Sequence, residues 1–268
     1  PRRHTEPVPL TPTQQRLWTI NYLSGGQADY LMPQAVEIDG PLDIAALRAA
    51  VADVIARHEI LRTVLPYLDH GPVQRVLPAP AVDSGVDGAH RIFGIETYFR
   101  VEDRTEEDLS AMLAAELERG FDVRTQVPLR TVLFRLGETR HVFLIVVHHI
   151  AGDAESLVRL SQELVAAYTA RVAGHAPEWP MPAVQFADYT LWLRDLMGEE
   201  SDPTTRAAAQ ARYWLAELAG LPESPLLPTD HPRTERVDNR AEAVPLSLDA
   251  ATHRAIVRIA RECSASTY

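Results

Sequence analysis

Lysine is absent from this 268-residue sequence, so all 26 basic residues are arginines. A lysine Schiff base and a catalytic lysine are thereby excluded. Cysteine occurs once, at Cys263, which excludes an internal disulfide or a cluster of thiolate ligands. Long apolar runs are also missing: the longest clean one, at 142–147, is far too short to cross a bilayer, and the first residues contain no apolar signal segment. These absences predict a soluble, cytoplasmic protein without a membrane partner.

The charged residues leave the chain strongly acidic, with 37 Asp and Glu against 26 Arg and a formal net charge of −11. Nucleic-acid binding requires a basic surface that releases counterions from phosphates, so this balance argues against a nucleic-acid partner. Hydrophobic residues make up 46% of the sequence. The composition therefore predicts a globular protein that buries a substantial core.

Apolar spacing predicts alternating helices and strands in the first part of the chain. Helices are expected after Asp43 and Thr105, which both suit an N-cap, and from Glu155, with Gly174 as the stop. Strands are expected at 34–39, 60–65, 73–77, 129–136 and 141–149, and a surface loop at 78–92. The last strand does not alternate apolar and polar residues, which predicts that both of its faces are buried.

Proline-rich segments divide the second part of the chain. The segment 175–184 precedes two predicted helices at 186–197 and 205–219, and aromatic residues such as Trp192 are expected to be core residues there. An extended linker at 221–235 is followed by a predicted strand at 243–248 and a helix at 249–263. A single strand and a single helix are too few elements to form a closed hydrophobic core, so the chain is expected to be part of a larger domain.

The segment VVHHIAGDAES (146–156) is distinctive because two histidines end an apolar strand and an aspartate follows just before a helix. Free N–H groups and the positive end of a helix dipole lie at such junctions, which are common places for chemistry. Neighbouring strand residues point to opposite faces, so one of His148 and His149 is expected to be structural while the other faces a ligand. Asp153 is a candidate helix cap, ion-pair partner or orienter of an imidazole.

Several interpretations of this segment stay open on the residues alone. A metal site needs a third ligand beside His149 and Asp153, and no HExxH, CxxC or nearby histidine supplies one, so no metal is expected. A nucleophile triad lacks a GxSxG elbow, and Ser156 fits the first turn of the helix. A general base requires a neutral imidazole aimed at an amine or hydroxyl, with its other nitrogen held by a partner. A buried structural histidine fits the pattern equally well.

Four motifs in order resemble the condensation domains of nonribosomal peptide synthetases. They are TPTQQRLW (11–18), RHEILRTVL (57–65), HHIAGDAES (148–156) and VQFADYTLWLR (184–194), and the third resembles the HHxxxDG motif of that family. Segments 120–136 and 211–233 are also similar to the family. The RHEILRT form further resembles the domains that join an L-configured donor to an L-configured acceptor.

The resemblance implies an α/β fold, in the form of an α+β sandwich. The implied architecture is a chloramphenicol-acetyltransferase-like lobe, with a mixed sheet flanked by helices, as half of a V-shaped two-lobe domain. Residues 1–178 are then the N-terminal lobe that carries HHxxxD. Residues 179–268 are inter-lobe helices, a proline-rich linker and the start of the C-terminal lobe. The channel lies between the lobes, so the chain alone is expected to be inactive.

The resemblance also implies peptide-bond formation in secondary metabolism such as antibiotic biosynthesis, with an acceptor amine attacking a donor thioester. Both reactants are tethered by 4′-phosphopantetheine to peptidyl carrier proteins, and no cofactor is bound directly. Implied partners are the donor and acceptor carriers, an adjacent adenylation domain and the missing C-terminal lobe. By motif position His149 is the catalytic histidine, while His148, Asp153 and Arg62 are structural, with Asp153 paired to Arg62.

Two residues depart from the family motif, which has glycine after the aspartate where this chain has Ala154 and then Glu155. Together with Gly152 they are expected to line the channel. If the family glycine serves a positive φ or a close approach, Ala154 adds strain or crowding. The departures favour an alternative function, that of a degenerate condensation-like domain that only binds a carrier protein or a tailoring enzyme. A related ester-forming or epimerising acyltransferase is a further alternative.

Overall fold

The computed structural model describes residues 7–69, 71–80, 98–222 and 244–267 of the chain. They fall into two compact units, Pro1–Glu217 and Leu218–Tyr268. Most of the predicted loop at 78–92 and of the predicted linker at 221–235 lies outside the described residues. The lobe boundary after residue 178 stays a prediction, because it concerns the division of a complete two-lobe domain.

Helices in the described ranges are α1 (Pro12–Leu23), α2 (Ile44–Arg57), α3 (Glu106–Glu118), α4 (Ala154–Val172), α5 (Phe186–Met197), α6 (Arg206–Glu217) and α7 (Ala250–Glu262). A 3-10 helix, Glu59–Arg62, follows α2. Strands are β1 (Val8–Pro9), β2 (Leu31–Asp39), β3 (Thr63–Val64), β4 (Tyr67–Leu68), β5 (Gly71–Val76), β6 (Phe99–Asp103), β7 (Leu129–Arg135) and β8 (Arg140–His148). None of these helices combines the length and apolarity needed to cross a membrane.

The main sheet has four strands in the order β2-β8-β7-β6. Strand β8 pairs antiparallel with β2 and β7, whereas β6 pairs parallel with β7. The sheet is therefore mixed, as the fold class requires. The short strands β1, β5, β3 and β4 form a second sheet centred on β5.

Strand β8 is buried on both faces, which confirms the prediction from its non-alternating sequence. Phe143, Ile145 and Val147 belong to a core cluster that includes residues of α2 and α4. The residues between them, Val142, Leu144 and Val146, belong to a second cluster that includes residues of α1 and partly buried residues of α3. The main sheet thus lies between two helical layers, and the predicted α/β sandwich with helices flanking a mixed sheet is confirmed.

Local signals place the helix ends. The side chain of Asp43 accepts a hydrogen bond from Ala46 N at 2.9 Å, and that of Thr105 accepts one from Asp108 N at 3.3 Å, so both predicted N-caps are confirmed. Gly174 follows α4 with a φ of +85°, a conformation that glycine adopts without steric penalty.

Two predicted strands differ from the structure. Residues 60–65 form the end of the 3-10 helix and the short β3. The side chain of Gln185 holds the backbone just before them, since it donates to Arg57 O at 2.9 Å and accepts from Glu59 N at 3.1 Å. Residues 244–249 are not in a strand. A strand requires a hydrogen-bonded neighbour, and the described part of the chain offers this segment none.

Candidate functional site

The histidine pair lies where β8 ends and the chain turns into α4. His148 N donates to Pro128 O at 2.9 Å, and His149 N donates to Tyr30 O at 2.8 Å. Ala151 N then donates to His148 O at 2.9 Å, which closes a tight turn ahead of the helix. Tyr30 adopts a φ of +58°, which is uncommon for a residue with a side chain. The junction is therefore fixed by backbone hydrogen bonds to two neighbouring segments.

His148 is a buried, neutral histidine. His148 is only 1% exposed, and its ring packs edge-on against the ring of Phe121, with 6.2 Å between the ring centroids. Its Nδ1 accepts a hydrogen bond from Ile150 N at 3.0 Å. Burial lowers the pKa of His148 to about 4, with a further contribution from His149 and a smaller opposing one from Asp29. An imidazole in this state accepts at one nitrogen and stabilises the turn.

His149 is exposed, whereas its neighbour is buried, so the two rings differ in environment as strand alternation predicts. Its backbone is held by Tyr30, but within the described residues its imidazole makes no hydrogen bond. The ring is accessible, and neither nitrogen is oriented by a neighbour. Its catalytic role stays a prediction.

Asp153 is the N-cap of α4. Its Oδ1 accepts hydrogen bonds from Ser156 N at 2.9 Å and Ser156 Oγ at 2.7 Å. The hydrogen bonds from Ser156 hold the pKa of the Asp153 carboxyl below its usual range, with a smaller contribution from the charge of His149. The carboxylate is thus occupied by its own helix.

The predicted ion pair between Asp153 and Arg62 is wrong for this structure. Arg62 lies on the 3-10 helix, where its Nη1 donates to Leu77 O and its Nη2 lies 3.8 Å from Glu59 Oε1. Ser156 supplies Asp153 with two donors only three residues away, at an exposed position. The local cap therefore takes the place of the long-range pair.

Replacing Asp153 with alanine is expected to lower the free energy of unfolding by about 1 kcal/mol, whereas asparagine, an equally good N-cap, should be nearly neutral. Urea denaturation measures both. The matched control is Asp43→Ala, which removes the corresponding cap of α2 and should have a similar effect. A loss of several kcal/mol on Asp153→Asn would instead indicate a buried ion pair and contradict the cap assignment.

Two of the three predicted channel residues line a cavity of about 440 Å³ beside the N-terminus of α4: Gly152 and Glu155. A Cβ on Gly152 would lie 2.8 Å from Ser156 Cβ, so glycine is required there for a close approach. Ala154 is the first residue of α4 and does not line this cavity. Positive φ values of described non-glycine residues occur at Tyr30 and Ser264, so Ala154 carries no such strain.

The loop that carries Tyr30 is held by a second loop at the end of α3. Asn21 Nδ2 donates to Phe121 O at 2.8 Å, and a Cβ on Gly120 would lie only 1.9 Å from Gly26 O. No residue with a side chain fits at position 120 without moving one of the two backbones. This contact positions the segment that meets the histidine pair.

Sequence reasoning missed a polar cluster near the same cavity. His58, which lines the cavity, pairs through Nε2 with Glu163 on α4, and Arg57 Nε lies 3.2 Å from the same carboxylate. His58 belongs to the RHEILRTVL motif, which is the signal that could have pointed to it. Glu163 gives no local signal, since it is 105 residues away from His58 along the chain.

The part of the chain that the structure describes contains no set of side chains that could act together as metal ligands. No three His, Cys, Asp or Glu side chains come together there in a way that could hold an ion.

Comparison with known sequences gives a consistent result over nearly the whole chain. The condensation-domain family model matches residues 4–268. CymA of Salinispora arenicola, a probable nonribosomal peptide synthetase, is 40% identical over 263 residues, which are 98% of this chain and 3% of CymA. The isonitrile lipopeptide synthase of Mycobacterium tuberculosis is 39% identical over 261 residues, which are 97% of this chain and 10% of that synthase.

Among solved structures, the chain is similar to the X-domain from teicoplanin biosynthesis, in its complex with OxyB. The TM-score is 0.82 and the sequence identity 36%, and the match covers 99% of this chain and 55% of the solved chain. The chain thus spans about half the length of that domain and a small part of the two curated synthetases.

Proposed function

The chain belongs to the condensation-domain family of nonribosomal peptide synthetases, and we propose that it serves there as a protein-binding platform rather than as a catalyst. The observation that carries this proposal is the similarity, at 36% identity over 99% of the chain, to an X-domain in complex with OxyB. The proposed partner is a tailoring enzyme, in the place that OxyB has in that complex. The proposed substrate of that enzyme is a peptide held on a carrier protein.

The geometry of the histidine pair supports this proposal. A general base is effective when one nitrogen faces the proton and a partner orients the other. Within the described residues the imidazole of His149 makes no hydrogen bond, and Oδ1 of Asp153 accepts its hydrogen bonds from Ser156. Ala154 and Glu155 stand where the family motif has glycine and commonly an apolar residue.

Peptide-bond formation at His149 is the second candidate function. It is favoured by the exposed imidazole of His149, in an intact histidine pair just before the N-terminus of α4. In this case the partners are donor and acceptor carriers loaded through 4′-phosphopantetheine, an adjacent adenylation domain and a C-terminal lobe. The RHEILRT form resembles that of the L-donor, L-acceptor type, and Gly152, Ala154 and Glu155 would line the channel in this proposal. An ester-forming or epimerising reaction would use the same histidine.

Both candidates are tested in the synthetase that contains this chain. We expect a tailoring enzyme of the OxyB kind to bind with the same Kd in the unaltered protein and in His149→Ala, because binding does not use the imidazole. Surface plasmon resonance measures this affinity. Donor- and acceptor-loaded carriers are mixed in parallel, and mass spectrometry is expected to find no dipeptidyl product. His175→Ala, at another exposed histidine, is the matched control.

The outcomes separate the candidates. A dipeptidyl product that is lost in His149→Ala but kept in His175→Ala would contradict the platform proposal and establish peptide-bond formation. A product that persists in His149→Ala would contradict both the platform proposal and the general-base role of His149. Absence of partner binding in the unaltered synthetase would also overturn the platform proposal.

A further inference from the structure

The cavity beside α4 has an apolar interior and charged residues only at its exposed side. Its volume of about 440 Å³ is in the range of small-molecule sites, roughly 300–1,000 Å³. Leu61, Val147 and Leu160 line it and are buried. Glu155 and Arg159 also line it but are exposed, so their charges meet solvent. The interior suits an apolar group.

His58 also lines the cavity, with its side chain 27% exposed. Its Nε2 pairs with Glu163, whose other oxygen lies 3.2 Å from Arg57 Nε. Burial raises the pKa of the Glu163 carboxyl, but the hydrogen bond from His58 and the nearby guanidinium of Arg57 outweigh burial and hold that pKa below its usual range. An ionised carboxylate only accepts hydrogen bonds, so Nε2 of His58 is the donor.

An imidazole that carries its proton on Nε2 presents Nδ1 as an acceptor. Across the described residues, nothing donates to Nδ1 of His58. The backbone on either side of His58 is fixed by Gln185, which donates to Arg57 O at 2.9 Å and accepts from Glu59 N at 3.1 Å. The acceptor is therefore preorganised, and a ligand that uses it avoids part of the ordering cost of binding.

We propose that this cavity binds an apolar ligand that carries one N–H or O–H donor, and that Nδ1 of His58 accepts the hydrogen bond from it. A ligand that carries a carboxylate is disfavoured, because its oxygens are hydrogen-bond acceptors and would face Nδ1 of His58, which is also an acceptor. The proposal goes beyond partner binding and is independent of it, because the residues that carry it are His58 and Glu163 rather than His149.

Indole and 1-methylindole are the probes, since they share one apolar ring system and only indole has an N–H donor. Titration of the full chain with each probe at pH 8 should give a Kd for indole roughly three- to tenfold lower than that for 1-methylindole, the effect of one net hydrogen bond. His58→Lys keeps a donor toward Glu163 but has no acceptor, so it should bind both probes equally. His175→Lys, at an exposed histidine outside the cavity lining, should keep the difference.

The ¹⁵N signal of His58 gives a test that needs no variant. In the free chain Nδ1 should have the shift of an unprotonated nitrogen, which indole should move and 1-methylindole should not. Equal Kd values for the two probes, or a preference for indole that survives in His58→Lys, would overturn the proposal. So would a protonated Nδ1 in the free chain at pH 8, or no saturable binding of either probe to the folded chain.

Discussion

Replacement of Arg130 by methionine is expected to lower the free energy of unfolding by roughly 3–5 kcal/mol, the range for removing one partner of a buried ion pair. Arg130 lies on β7, is only 6% exposed, and its Nε donates to Glu116 Oε2 at 3.1 Å. Methionine keeps an apolar stem of similar length, so the loss comes from the charge and its hydrogen bonds rather than from packing.

The guanidinium of Arg130 also completes the end of α3. It donates to the backbone carbonyls of Glu116, Arg119 and Gly120, and it lies 4.4 Å from the ring centroid of Phe121. The last carbonyls of a helix have no partner within the helix, and a buried one without a donor is destabilising. Loss of Arg130 is therefore expected to loosen the loop that positions the histidine pair.

The matched control for this prediction is Arg135→Met on the same strand. Arg135 makes two hydrogen bonds to Asp103, at 2.6 and 2.7 Å, but its side chain is 41% exposed. Solvent screens such a pair, so its loss should lower the unfolding free energy by less than about 1 kcal/mol. Urea denaturation of both variants gives the comparison. Equal losses would show that burial of Arg130 does not matter.

Acidification is expected to destabilise the protein through His148 by about 3 kcal/mol between pH 6.5 and pH 4. The folded state resists protonation because burial lowers the pKa of His148 to about 4, whereas the unfolded chain takes up this proton near the ordinary value of about 6.5. The unfolded state therefore binds more protons throughout this range, and stability falls as the pH falls. Below pH 4 both states are protonated and the loss is complete.

His148→Asn isolates this contribution. The amide oxygen of asparagine can accept the hydrogen bond from Ile150 N as Nδ1 does, but it does not titrate. Unfolding free energies measured by urea from pH 7 to pH 4 should fall less steeply in the variant, by about 3 kcal/mol over the range. All other titrating groups are common to both proteins and cancel. Parallel pH profiles would contradict the assignment of His148 as a buried neutral histidine.

Local sequence predicted the elements of the site well, because their signals lie within a few residues. Strand β8 was recognisable from its continuous apolar run, the N-cap of α3 from Thr105, and the end of α4 from Gly174. Strand alternation predicts that His148 and His149 point to opposite sides, but it does not predict which of them is buried, because both faces of β8 are buried. The condensation-domain family was recognisable from four ordered motifs, and the comparisons confirm it.

Predictions failed where a distant residue changed the local outcome. Residues 60–65 have apolar, strand-like composition, but Gln185 holds the preceding backbone and they begin as a 3-10 helix. Trp192 was expected in the core and is 57% exposed. Asp153 was paired by family resemblance with Arg62, yet each side chain has other partners. No local pattern carries this information.

The sequence by itself determined the position of the strand-to-helix junction, because hydrophobic periodicity and capping act over a few residues, and its ordered motifs implied the fold class and the roles of the two histidines by family resemblance. Only the tertiary structure decided how the site is held. Tyr30 fixes the backbone of His149, Glu163 orients His58, and Arg130 anchors the supporting loop. These contacts join segments far apart in the chain, and they depend on side chains that meet only after the sheet and helices have packed.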